Sequence, residues 1–210
     1  MFRPRFLHFL RYLLPDMVWE MDDDSGVYLT FDDGPTPGIT EWILEELDKA
    51  DAKATFFCLG KNIEMYPGLF EAILAAGHKV GNHTYSHLRG WEVRLGEYVE
   101  DVDFANQTVR SDLFRPPYGR ISRRQADVLR QRYKLIMGGI VSEDYSPNVS
   151  PSKCLENITR YVRAGSIVVF HDSLKSEHNT RYALPRSLKH IKEMGLEFKT
   201  LEFTDIITVK

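Results

Sequence analysis

The chain has 210 residues, of which 43% are hydrophobic, 12% aromatic and 27% charged, and its 27 basic and 30 acidic side chains leave a formal net charge of −3. That length and apolar share fit one domain around one core; the aromatic content excludes a disordered chain, and no basic excess marks a nucleic-acid binder. The only two cysteines, Cys58 and Cys154, stand in no CxxC spacing, which excludes a disulfide-rich scaffold and a zinc ribbon.

Between Met1 and Pro15, residues Phe6, Leu7, Leu10, Leu13 and Leu14 share one helical face, with Arg3, Arg5 and Arg11 elsewhere. His8 and Arg11 interrupt what would otherwise pass for a signal peptide, and no small-residue cleavage site follows. Residues 1–26 therefore read as an N-terminal helical extension packed on the body of the domain. Membrane-surface contact through residues 1–14 is the sharper alternative. Charges break every apolar stretch short of the roughly 20 residues that cross a bilayer. The expected location is cytoplasmic or peripherally membrane-associated. Four N-x-Ser/Thr sequons, at Asn82, Asn106, Asn148 and Asn157, are read as unglycosylated.

From Val27 onward, short β-rich runs alternate with helical windows. Strands are expected at Val27–Phe31, Ala54–Leu59, Lys79–Gly81, Leu113–Arg115, Lys134–Met137, Ser166–Phe170 and Glu197–Thr200. Helices are expected through Trp42 to Leu47, over Pro67–Ala76 with Gly77 as its cap, and over Trp91–Arg110. Further helices run from Ser122 to about Arg132, from Ser150-Pro151 onward, and over Leu184–Met194. This alternation implies parallel βαβ units. Seven such strands suit a barrel or a doubly wound sheet, and both place their chemistry at the carboxyl ends of the strands.

Polar groups gather at those ends. The first strand runs into Asp32-Asp33-Gly34-Pro35, where paired carboxylates can supply a metal ligand beside a general base; an Asx-type turn is the bland alternative. The third runs into His83-Thr84-Tyr85-Ser86-His87, two histidines four apart, as on one face of a helical turn. With Asp33 they offer two nitrogens and one oxygen, a set that suits Zn²⁺ with a position left open. Arg115 precedes Pro116-Pro117-Tyr118-Gly119 and can orient a carboxylate. His171-Asp172 follows four apolar residues, on a rim where an imidazole is easily tuned.

Taken together, TFDDGP at 30–35, HTYSH at 83–87, RPPYG at 115–119 and FHD at 170–172 resemble the polysaccharide deacetylase family, the NodB-homology domain of carbohydrate esterase family four. The resemblance implies that residues 27–210 form a catalytic domain with a distorted (β/α)7 barrel. Carried over position by position, it makes Asp33, His83 and His87 the metal ligands and Asp32 the general base, oriented by Arg115. His171 becomes the general acid with Asp144 as its partner, and the Tyr118 backbone N–H an oxyanion donor. The implied cofactor is one divalent ion, Zn²⁺ ahead of Co²⁺, Ni²⁺ or Mn²⁺. The implied substrate is an acetylated glycan or amino sugar, cleaved by amide hydrolysis. The fourth motif departs from the family pattern: Gly138 and Gly139 replace bulkier residues and should leave room beside the site. Tyr145 stands where Trp is usual, and Val169 replaces a Leu in the wall that would hold an acetyl methyl. An O-acetyl xylan-type esterase and a catalytically impaired glycan-binding homologue are the rival readings. A two-metal phosphatase would need more ligands than this set offers.

Overall fold

Strand β1 (Gly26–Asp32) lies at the middle of the sheet, between β2 (Ala54–Cys58) and β7 (Ile167–His171), and is buried along its whole length. The computed structural model describes residues 17–203; the helix expected before Pro15, with its membrane contact, lies outside them. Five further strands complete the sheet: β3 (Lys79–Asn82), β4 (Leu113–Phe114), β5 (Lys134–Leu135), β6 (Ile140–Val141) and a short β8 (Glu197–Phe198). All recorded strand pairs are parallel, in the order β5-β4-β3-β2-β1-β7-β6, with β8 beside the start of β1.

Period-two alternation divides β1 between two environments. Leu29 and Phe31 face the helical layer, in one cluster with Ile43, Leu47, Ile73, Ile158 and Leu184. Those residues come from α1 (Ile39–Lys49), α3 (Pro67–Ala75), α6 (Pro151–Thr159) and α7 (Glu177–Glu193). Phe31 stacks between Phe56 and Phe170, with ring centroids 4.9 and 5.9 Å away. Tyr28 instead packs with Phe57, Leu113, Ile136 and Ile167 in a separate inner cluster, and Thr30 and Asp32 share its side of the strand.

The two ends of the strand path are neighbours in the chain. β5 pairs with β4, β6 pairs with β7, and only Ile136–Gly139 lies between them, so the sheet curls into a distorted barrel of seven strands. Residues 17–21 fill the seam. Val18 donates to the Leu135 carbonyl and accepts from the Met137 amide, while Met21 donates to Gly165. Met17 and Trp19 are buried there, and the stretch from Met17 to Ser25 is extended and irregular.

Several boundaries differ from expectation. The helix expected from Trp91 begins later, as α4 (Leu95–Val109), after a separate 3-10 turn at Gly90–Glu92. Helix α2 (Gly60–Met65) was not expected, and α5 is shorter than anticipated, at Arg123–Leu129. The last helix starts at Glu177, seven residues before Leu184 and well ahead of its internal Pro185. Its early turns carry buried Asn179 and Thr180, polar residues that read as loop until their partner is known.

Candidate active site

Strand register brings the polar ends together. Asp32 lies opposite Phe57 on one side and His171 on the other, Cys58 opposite Asn82, and Asn82 opposite Phe114. The residues that follow, Asp33, His83 and Arg115, thus start from one rim. Arg115 is buried and its Nη1 donates to Asp32 Oδ1 at 2.6 Å and to Thr30 Oγ1 at 2.7 Å. Its guanidinium carbon sits 4.1 Å from the Phe57 ring centroid. A charge-assisted bond in so dry a place fixes the Asp32 carboxylate in one orientation.

Asp33 sits at φ 84, a left-handed conformation that turns its side chain away from the strand line and toward the two histidines. Its Oδ1 is buried without a sound hydrogen bond, and its nearest polar neighbours are His87 Nε2 at 3.0 Å and His83 Nε2 at 3.7 Å. Burial works against the Asp33 carboxylate, but the imidazoles of His87, His171 and His83 outweigh it and hold the group well below the usual carboxylate range. His83 Nδ1–H donates to the Arg115 carbonyl at 2.8 Å, which leaves Nε2 as the bare lone pair. Burial presses the His83 pKa down to about 4, so the ring is neutral and able to ligate. An orphaned carboxylate oxygen facing two imidazoles within 4.8 Å fits a divalent cation with N and O preferences such as Zn²⁺.

The two histidines do not share a helical turn, contrary to the sequence expectation. They lie on a loop in which Thr84 and His87 both adopt positive φ, 69° and 63°. Asn82 Oδ1 accepts from the Thr84 amide, Thr84 Oγ1 from the His87 amide, and Asp101 from the Ser86 amide. Those side-chain bonds replace a helical ladder and bring the ring centroids to 5.3 Å.

Across the cleft, Asp144 is buried and holds His171 twice, through Nδ1 at 2.7 Å and through the backbone amide at 2.8 Å. Thr180 Oγ1 donates to the same carboxylate and Asn179 Nδ2 to the Asp144 carbonyl. Burial alone would lower the His171 pKa; Asp144, with Asp33 and Asp32 beyond it, reverses this and raises it to about 9. Tyr145 packs edge-on against the His171 ring at 4.8 Å. Tyr118, at φ 59 in the Pro117–Gly119 turn, lies 4.6 Å from the His87 ring.

Sequence reasoning assigned no role to several residues that shape this site. Asp172 accepts from the Gly34 amide and from Thr40 Oγ1, and a Cβ on Gly34 would overlap its carboxylate, so Gly34 is required for that close approach. Its position directly after His171 was the available signal. Lys175 reaches to 3.8 Å from Asp33 Oδ2. Trp19 and Met137 line the cleft, whose volume is about 430 Å³. The room expected beside Gly138 and Gly139 is occupied. A Cβ on Gly138 would overlap Val169 Cγ2, and one on Gly139 would meet the Trp19 carbonyl at 2.9 Å.

A profile described as polysaccharide deacetylase matches residues 20–133. A peptidoglycan N-acetylglucosamine deacetylase of Bacillus cereus is 31% identical over 189 residues, 83% of this chain and 66% of that protein. The peptidoglycan N-acetylglucosamine deacetylase PgdA of Listeria monocytogenes is 30% identical over 185 residues, 84% of this chain and 38% of its own length. The chain therefore spans just under two thirds of one of these relatives and well under half of the other. The crystal structure of the Bc1960 peptidoglycan N-acetylglucosamine deacetylase, in complex with a naphthalenyl N-hydroxybenzamide, superposes with a TM-score of 0.85 at 28% identity, covering 91% of this chain and 94% of that one. With the barrel, the rim and these likenesses in agreement, the chain belongs to the polysaccharide deacetylase family.

Proposed function

We propose that this protein is a metal-dependent hydrolase that removes acetyl groups from N-acetylated sugars of a glycan, with N-acetylglucosamine units of a peptidoglycan-type chain as the substrate class. The observation that carries this reading is the buried, unpartnered Asp33 Oδ1 beside two ring nitrogens, facing Asp32–Arg115 and His171–Asp144 within one cleft. The names of the curated relatives support the substrate class.

Asp33, His83 and His87 would hold the cation, and the donor set favours Zn²⁺ over Co²⁺, Ni²⁺ or Mn²⁺. Once bound, such an ion polarises the acyl oxygen and makes water more acidic. Asp32, locked by Arg115, takes the proton of the attacking water. The Tyr118 backbone N–H donates to the acyl oxygen as negative charge develops on it. His171, charged through Asp144, passes its proton to the departing amine, which cannot leave as an anion. An ester needs that proton less, because an alkoxide is the better leaving group.

The deciding experiment measures acetate release from N-acetylglucosamine oligomers and from O-acetylated xylan, with protein loaded with Zn²⁺ and with protein stripped by a chelator. One bound ion per chain and chelator-sensitive release from the amide substrate are expected. Release from xylan alone would favour the esterase, and glycan binding without release the impaired homologue.

A further inference from the structure

Trp91 is the one exposed tryptophan among the described residues, with 64% of its surface open to solvent. A single exposed apolar side chain needs no explanation by itself. Trp91 differs because its turn is pinned. Gln125 Nε2 donates to the Gly90 carbonyl at 2.7 Å, and Gln125 is itself fixed by its reciprocal cap with Ser122. Gly90 is buried so close to its neighbour that a Cβ would lie 2.8 Å from the Arg120 carbonyl. The backbone of the Gly90–Glu92 turn therefore runs directly against Arg120–Ile121.

That contact ties the indole to the catalytic cleft. The Arg120 guanidinium carbon is 5.4 Å from the Trp91 ring centroid, and Arg120 lines the cleft. Two residues earlier on each strand exit the pattern repeats with the partners exchanged: Arg89 lies 4.7 Å over the Tyr118 ring, and Tyr118 packs at 4.6 Å against His87. Rings and guanidinium planes thus lead from a proposed metal ligand to an exposed indole. The C–H face of a pyranose packs on such a ring, and its rim of hydroxyls suits guanidinium donors.

We propose that Trp91 and Arg120 bind the sugar units next to the acetylated one, so that the site reads a stretch of glycan rather than a single amino sugar. This rests on the glycan-deacetylase reading above.

The test uses the full, Zn²⁺-loaded chain with β-1,4-linked N-acetylglucosamine oligomers of two and five units, reading acetate release and tryptophan emission. In the parent, kcat/KM for the pentamer should exceed that for the dimer by about tenfold, the scale of one well-placed aromatic contact. Trp91→Ala should collapse that ratio toward one and Trp91→Phe should retain part of it. The pentamer should quench emission more strongly in the parent than in Trp91→Phe, where only Trp19 remains at the cleft. A pentamer-to-dimer ratio unchanged in Trp91→Ala, or near one in the parent, overturns the proposal. If neither oligomer releases acetate, the deacetylase reading fails and the emission decides alone, with no Trp91-dependent quenching overturning the proposal as well. Self-association that disappears in Trp91→Ala, with the ratio intact, would give the indole to a second copy of the chain instead.

Discussion

His171 and Asp144 show how one contact sets a proton's fate. Burial would strip charge from the imidazole, yet the Asp144 carboxylate at 2.7 Å keeps it protonated to about pH 9. The charged form is the one that Asp144 favours, so removing that charge lowers the pKa. Asp144→Asn should therefore move the alkaline limb of the pH–rate profile toward neutrality on an N-acetyl substrate. Superimposable profiles would show that another group supplies the proton. His171→Ala should cost roughly 10²–10⁴ in rate on an amide and less on an O-acetyl ester. The proposed metal triad gives a second test. His87 is only half-buried and lies 3.0 Å from Asp33, so His87→Ala removes one ligand with little core disruption. Bound Zn²⁺ measured by elemental analysis should fall well below one equivalent, with activity down at least about a hundredfold. A full equivalent of metal in a folded, active variant would remove His87 from the ligand set.

At the scale of elements, the link between β5 and β6 explains why the altered fourth motif does not widen the site. Val169 on β7 projects its Cγ2 branch into the space that a Gly138 side chain would need. Gly138→Ala should thus be an overpacking change, costing about 1–3 kcal/mol in a urea titration. The double variant Gly138→Ala/Val169→Ala should recover part of that loss, with a coupling of about 0.5–3 kcal/mol. Additive losses would show that the two positions do not compete for one space. This compensation was invisible in the sequence because it joins the link between β5 and β6 to a residue on β7, some thirty positions away. The same holds for α7, whose first turns carry Asn179 and Thr180 as donors to Asp144. Polar residues that serve a buried carboxylate break the apolar periodicity on which a helix is recognised. The paired histidines misled in the opposite way, since a spacing of four implies a helical turn, and side-chain bonds from Asn82 and Thr84 build a loop instead.

For the molecule as a whole, the parallel α/β architecture and the clustering of Asp32, Asp33, His83, Arg115 and His171 were readable because each motif closes a strand run and parallel strands share a carboxyl end. The seven expected strands, however, took in β8, which lies off the barrel path, and missed the two-residue β6. How the barrel closes was not readable. Closure depends on Met17–Met21, which carries no strand pattern of its own and takes backbone bonds from the edges at Leu135–Met137 and Gly165. Trp19 is buried in the same seam and lines the cleft, so one short segment supports both the ring and the wall of the site. Deleting residues 1–21 would strand the Leu135 and Gly165 carbonyls and the Met137 amide, each worth about 1–3 kcal/mol if left buried and unpaired. It would also expose the cavity left by Met17 and Trp19. The sum is a large part of the 5–15 kcal/mol by which a domain is usually stable. The truncated chain should therefore melt at far lower urea than the intact one, or fail to fold. Trp19→Ala, which keeps the backbone bonds, should lose about 3–5 kcal/mol. A truncated chain with the midpoint of the intact protein would mean that the seven strands close without this segment, and that the seam is a cover and not a support.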